Sequence, residues 1–510
     1  MNFAANKIAA AAVSHAYPWL PDQGDGTYCN PVLYADYSDP DVIRHGDDFW
    51  MTASSFNCTP GLPILHSTDL VNWTLVNHAV KNLPDARYQE VQPGCGVWAP
   101  SIRFHVGKFW IFFAMPDEGI YVTTATDPRG QWSEPLLVQA GKGLIDPCPL
   151  WDDNGRAYLV HAYAGSRAGI KHRLRVCPMA TDGSRLLDEG RIVFHEPARQ
   201  HTIEGPKFLK RDGWYYILAP AGGVTEGWQT VLRSRNIFGP YEDKVVLHQG
   251  NTAVNGPHQG ALVDTPAGEW WFVHFQDAGV YGRVVHLQPA KWRDAWPLMG
   301  DINGGTAAGQ PVLRHPKPNL ATARMAAPAT SDEFSSSRLG LQWQWHANHQ
   351  DDWHSLSARP GWLRLFAFPQ PALDRTPHLL LQKFPARQFT VETCVDITGG
   401  KVGAEAGLTI VGRACAAIAL RRTEFGAEVI YRKAGEQILM ECRAAVRSLR
   451  VSVGADGLCE FAYADATGKW MAVPPSFQAE AGVWIGAKVG LFALGHGHAD
   501  FDYFRFGALS

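Results

Sequence analysis

What this chain has little of narrows its class before any motif is read. Charge is scarce and balanced: Lys plus Arg is 46, Asp plus Glu is 49, and the formal net charge is −3. That balance excludes a general binder of nucleic acid or of anionic membranes. Long apolar runs are absent, and no stretch reaches the roughly 18 residues that a membrane-spanning helix needs. CxxC pairs are absent as well. The nine cysteines, Cys29, Cys58, Cys95, Cys148, Cys177, Cys394, Cys415, Cys442 and Cys459, are odd in number, so neither a zinc site nor a disulfide framework is signalled. They read as free thiols in a reducing compartment. The first residues, MNFAANKIAAAAVSHAYPWLP, are too polar for a signal peptide's apolar region. The expected location is therefore cytoplasmic, or exported if a signal has been removed. Helical periodicity is also hard to find. What is plentiful is aromatic and turn-forming: 19 Trp, 15 Tyr, 24 Phe, 50 Gly and 34 Pro in 510 residues. Such a chain is not disordered, and its length suits two domains.

Short β-branched and aromatic runs recur between Gly, Pro, Asn and Asp: DDFWMTASSF, GKFWIFFAM, GRAYLVHAY, GWYYILAP and EWWFVHF. This pattern predicts an all-β fold. Each run follows a similar lead-in. These are Asp39-Pro40 before Phe49, Ala99-Pro100 before Phe109, Asp146-Pro147 before Tyr158, Glu204-Gly205-Pro206 before Trp214, and His258-Gln259-Gly260 before Trp270. A second echo appears in HSTDLVNW (66–73), TATDPRGQW (124–132) and RSRNIFGPY (233–241). Five units at a spacing of roughly 50–60 residues predict a five-bladed β-propeller with four strands per blade. The repeats stop near 300. A Pro- and Ala-rich stretch reads as a linker, and strands of alternating polarity follow at sandwich-like spacing. The expected domains are an N-terminal extension (1–26), a propeller (27–314), a linker (315–331) and a β-sandwich (332–510).

In a propeller the innermost strand of each blade faces the axis, so residues at its start converge on one mouth of the channel. The converging positions are Asp39, Trp98 with Ala99, Asp146, Glu204 and His258. Three carboxyls in one cavity repel, which raises at least one pKa. A split of that kind supplies an ionised base and a protonated acid together. Taken singly, Asp39 and Asp146 are ordinary turn starters before Pro, whereas Glu204 in HTIEGP is a poor turn residue. Their shared register on different blades favours function. Two carboxyls across an aromatic cavity, without a nucleophile motif or metal-ligand spacing, point to glycoside hydrolysis. The sequence leaves open their separation, and so retention or inversion.

The segments NPVLYADYSDPDVIRHGDDFWMTASSF, GVWAPSIRFHVGKFWIFF, LIDPCPLWDDNGRAYLVHAY, IEGPKFLKRDGWYYILAP and NGPHQGALVDTPAGEWWFVHF resemble the five blades of glycoside hydrolase family 43. The likeness is to its β-xylosidase and α-L-arabinofuranosidase branch. LQWQWHANHQDDWHSLSARPGWLRL resembles the concanavalin-like sandwich appended to that branch. The resemblance implies inversion, with Asp39 as general base, Glu204 as general acid and Asp146 as the third acid that tunes it. It implies that Phe56 and Trp98 wall the sugar subsite and that Arg283 contacts sugar hydroxyls and holds the base ionised. His258 would be the axial histidine that binds a central water or, in some members, a structural Ca2+, and it is expected among the substrate-binding residues with Phe56, Trp98 and Arg283. No cofactor is implied for the chemistry. Trp228 lies in a loop that usually approaches the cavity. The turn SDPD, where many xylosidases have PDPS, and Cys58 after Phe56 leave the choice of sugar open.

The expected substrate is a xylo-oligosaccharide or an arabinoside, attacked from one end, with no nucleic-acid or membrane partner. A homo-oligomer remains compatible with the sequence. The alternatives are an α-L-arabinofuranosidase, a non-catalytic sugar-binding propeller, and an endo-acting enzyme on the same scaffold. The tryptophans divide accordingly. Trp50, Trp110, Trp214, Trp270 and Trp271 read as packing between blades, and Trp343, Trp345, Trp353 and Trp362 belong to the second domain.

Overall fold

The computed structural model describes residues 17–302, 307–321, 323–370, 372–433, 436–440 and 447–509. Most of the expected N-terminal extension, and Cys442, lie outside the described residues. The fold is all-β. Five four-stranded antiparallel sheets, each in simple sequence order, occupy residues 41–80, 98–140, 144–194, 207–247 and 258–299. They are blades 1 to 5.

Side chains alternate across a strand, and here both faces of each second strand are buried. In blade 2, Phe109, Ile111 and Phe113 pack with Trp50 and Ile64 of blade 1. Phe112, between them in sequence, packs with Leu159 of blade 3. Tyr158 and Val160 of blade 3 meet Phe208 and Ile217 of blade 4. Tyr216 and Leu218 of blade 4 meet Phe272 of blade 5. Trp271 and Val273 of blade 5 meet Phe49 and Met51 of blade 1. The last contact closes the ring. This is why the second strands are runs of aromatic and β-branched residues rather than polar-apolar alternations.

The ring is also sewn by the segment that enters it. The strand Thr27–Cys29 pairs with Arg314–Pro316, and Leu33 bridges Val285. His315 and Pro316, expected to begin the linker, therefore stand in a strand.

The second domain has two seven-stranded sheets face to face. Their shared core includes Trp343, Val391, Leu408, Phe461 and Phe501. It docks on the propeller through backbone. Thr59 and Trp345 exchange N–H to carbonyl hydrogen bonds at 3.1 and 2.5 Å. Asn57 donates to the His346 carbonyl at 2.7 Å. The eight described cysteines are free.

Candidate active site

The first strand of every blade is entered through one residue in the left-handed region: Asp39 (φ 55°), Ala99 (29°), Asp146 (58°), Gly205 (59°) and Gln259 (41°). Four of the five are followed by Pro and the fifth by Gly. Left-handed backbone is costly for a residue bearing a Cβ, and such strain gathers at functional sites. Asp39, Ala99, Asp146 and Gln259, the four that carry a side chain, all line one cavity.

This geometry refines the sequence register. Asp39, Asp146, Ala99, Gly205 and Gln259 are equivalent. Glu204 stands one residue earlier, level with Trp98 and His258. The three acids thus reach one cavity from two registers, which the shared Pro and Gly signals had merged.

A cavity of about 420 Å³ opens at this mouth, lined by Asp39, Asp146, Glu204, Phe56, Trp98 and Arg283 among others. Asp39 is buried and held by three donors. The Ser38 hydroxyl lies 2.8 Å away, the Ser54 hydroxyl 2.6 Å, and the Arg283 guanidinium 3.0 Å. Ser54 also accepts from the Ala99 N–H at 2.8 Å, tying blade 1 to blade 2. Arg283 donates to Ser38 at 2.7 Å and lies 4.7 Å above the Phe275 ring. The cation is therefore fixed from two sides and can hold Asp39 in one orientation.

Asp146 is buried and accepts the Gly205 N–H at 2.8 Å. Burial first, and then the Glu204 and Asp39 charges, push its carboxyl up to about 8. The expected like-charge conflict thus falls on Asp146. Asp146 therefore holds its proton at neutral pH. Glu204 is the more exposed of the two and meets His258 Nε2 at 3.1 Å.

His258 is fully buried and is not part of the cavity wall. The expected sugar contact is corrected: its ring stands behind Glu204 and orients it. As for a calcium ion, His258 Nε2 already meets Glu204, and its Nδ1 has no hydrogen-bond partner. No group of three ligating side chains gathers among the described residues. The side chains around His258 do not make a calcium cage.

Phe56 and Trp98 form the aromatic wall, their ring centroids 6.2 Å apart. Phe56 is itself left-handed (φ 52°) and is held by a bridge to Val97. An added Cβ on Gly96 would lie 2.1 Å from the Phe56 carbonyl oxygen, so only glycine allows that approach. Trp228 does not line the cavity. Its indole N–H donates to Gln200 at 2.8 Å and its ring packs on His201, although its neighbour Val224 reaches the wall.

Sequence reasoning missed two parts of the site. One is the loop after the second strand of blade 3, which brings Lys171 and His172 to the rim. Burial, and then Lys171, lower the His172 imidazole, and its Nδ1 accepts the Thr202 N–H at 2.5 Å. The other is Trp484, from the second domain, in a loop with φ 66°. Its ring lies 6.2 Å from Trp98 and 5.9 Å from the Arg283 guanidinium. No repeat or spacing in the sequence marks it.

A propeller whose mouth gathers three carboxyls against two aromatic rings is built for cleaving sugar bonds by acid and base, and it defines the class as glycoside hydrolase. Residues 28–297 match the model for glycosyl hydrolases family 43. Residues 331–507 match the β-xylosidase C-terminal concanavalin A-like domain. The chain belongs to family 43. A relative from Xylanibacter ruminicola is 44% identical over 80% of this chain and 76% of its own length. The β-xylosidase of Formosa agariphila is 37% identical over 68% of this chain and 63% of its own. The non-reducing end α-L-arabinofuranosidase BoGH43B of Bacteroides ovatus is 30% identical over 66% and 65%. Among solved structures, the family-43 protein BlXynB of Bacillus licheniformis superposes with a TM-score of 0.81. It is 25% identical, and the match covers 95% of this chain and all of that one.

Proposed function

We propose that this chain is an exo-acting, inverting β-xylosidase that removes terminal xylose from xylo-oligosaccharides. The observation that carries the reading is the cavity itself: three carboxyls at its floor, and a mouth narrowed by Trp484 from the second domain. A groove open at both ends would suit internal cleavage, whereas a pocket closed in this way suits one terminal sugar. The β-xylosidase relatives support xylose as that sugar.

Hydrolysis is then written on the three carboxyls. Asp39, oriented by Arg283 and two serine hydroxyls, takes a proton from water as that water attacks the anomeric carbon. Glu204 gives a proton to the leaving oxygen as the glycosidic bond breaks. Asp146, held by the Gly205 N–H next to Glu204, is the third acid at the same sugar. A base that works through water, rather than attacking the sugar, inverts the anomeric centre. No step needs a metal.

A second reading, release of terminal arabinofuranose, is favoured by the Bacteroides ovatus relative. One experiment separates the readings. Rates on aryl β-xylosides and aryl α-L-arabinofuranosides are compared, and xylotetraose hydrolysis is followed by proton NMR. The expected result is faster xyloside cleavage, with xylose appearing first as the α-anomer. Early release of β-xylose would overturn inversion, early xylobiose with little xylose would overturn exo action, and a faster arabinofuranoside rate would replace the substrate.

A further inference from the structure

Asp36 lies three residues before Asp39, is buried, and does not line the cavity. Its carboxylate holds two backbone groups from different domains. Oδ1 accepts the N–H of Arg283 at 3.0 Å, and Oδ2 accepts the N–H of Gly486 at 2.9 Å. Arg283 is the cation on Asp39, and Gly486 is two residues from Trp484. The approach is close. An added Cβ on Gly282 would lie 2.5 Å from the Asp36 carboxyl carbon, and one on Gly486 would lie 2.6 Å from the Gly282 nitrogen. Next to this junction, Ala487 donates to the Val280 carbonyl at 2.8 Å, and the Tyr281 hydroxyl lies within donating distance of the Arg387 and Gly454 carbonyls, at 2.9 and 2.7 Å.

We propose that Asp36 is a positioning residue that registers the second domain's Trp484 loop and the Arg283–Asp39 pair to each other. The inference rests on the hydrolase reading above and names how its two halves are aligned. A carboxylate accepting two N–H groups fixes both in one plane, and charge-assisted hydrogen bonds are the stronger kind. Catalysis is sensitive to displacement: a shift of about 1 Å in a positioned group costs on the order of 100-fold in rate. Loss of Asp36 frees the Arg283 backbone and the Trp484 loop together, so it acts on kcat through the first and on KM through the second.

The test is a double-mutant cycle on the full chain with D36A, W484A and the double variant. Rates are measured on an aryl xyloside and on xylobiose, with unfolding followed by circular dichroism. D36A is expected to lower kcat on the aryl xyloside about 10–100-fold and to raise KM for xylobiose. The KM increases of D36A and W484A should not multiply in the double variant, because both remove the same wall. If D36A folds with kcat and KM within about twofold of the parent, or if its KM increase multiplies with that of W484A, the proposal is wrong. If D36A does not fold, D36N decides by the same criteria, since Asn keeps the shape and one acceptor but turns a donor toward the other N–H. A parent chain inactive on every xyloside would sink the substrate reading. The cycle would then be run on the sugar the parent does cleave.

Discussion

Two carboxyls of similar pedigree, both before Pro, are placed in opposite surroundings. Asp39 meets a guanidinium and two hydroxyls, whereas Asp146 meets one N–H and two other acids. This difference yields two predictions. Activity should fall on the alkaline side as Asp146 loses its proton near pH 8, and D146N should displace that limb. A pH profile of kcat/KM whose alkaline limb is the same in D146N and the parent would refute the assignment. The same shift carries a stability sign. The native carboxyl binds its proton more tightly than the unfolded one, so its contribution is fullest below the ordinary Asp range and is lost as pH rises toward about 8. The second prediction concerns Glu204. E204Q should slow xylobiose hydrolysis about 10²–10⁴-fold and slow a dinitrophenyl xyloside much less, because a good leaving group departs without a proton. Equal losses on the two substrates would remove the acid role. Asp39 and Asp146 were legible from the repeat. The offset of Glu204 was not, because glycine and proline mark the turn without saying which side chain leaves it toward the axis.

Among the elements, the loop carrying Trp484 has the largest say in what the pocket accepts. It is not part of any blade, and its tryptophan is nearly half exposed, at 47%. A bulky residue at φ 66° persists only where its surroundings demand it. Trp484→Ala should open the mouth. We expect KM for xylobiose to rise about tenfold, for the loss of roughly 1.4 kcal/mol of stacking, with kcat on an aryl xyloside changed little. Unaltered oligosaccharide kinetics would show that the ring is not a subsite wall. The propeller blades were legible because each second strand repeats one aromatic pattern. This loop was not, because GVWIGAK carries no periodicity and its role depends on a domain that begins hundreds of residues after blade 1.

For the whole molecule, the question is what the domain interface costs and gains. Lys383 of the second domain lies against the first, its ammonium 5.2 Å from the Tyr37 ring. Burial, and then Lys488, lower it to about 7, against the pull of Asp36 and Cys58. A base held below its unfolded value penalises the folded state fully under pH 7. The penalty is relieved as pH rises from about 7 toward the ordinary lysine range. Lys383→Met should therefore raise Tm most at pH 6, with the gain shrinking by pH 9. Calorimetry at the two pH values checks this, and a gain independent of pH would show that Lys383 titrates as an ordinary lysine.

The sequence alone determined the blade count, the all-β class, the second domain and the three acids. Each rests on a pattern local enough to repeat: alternation along a strand, a turn before Pro or Gly, an aromatic run. Tertiary structure decided what repetition does not encode. It moved Glu204 out of register with the two aspartates, set His258 behind the site rather than in it, and turned Trp228 away from the cavity. It brought Trp484 and Asp36 together across two domains. Those outcomes depend on how far apart blades and domains come to rest once their faces are packed, a distance that no single segment contains.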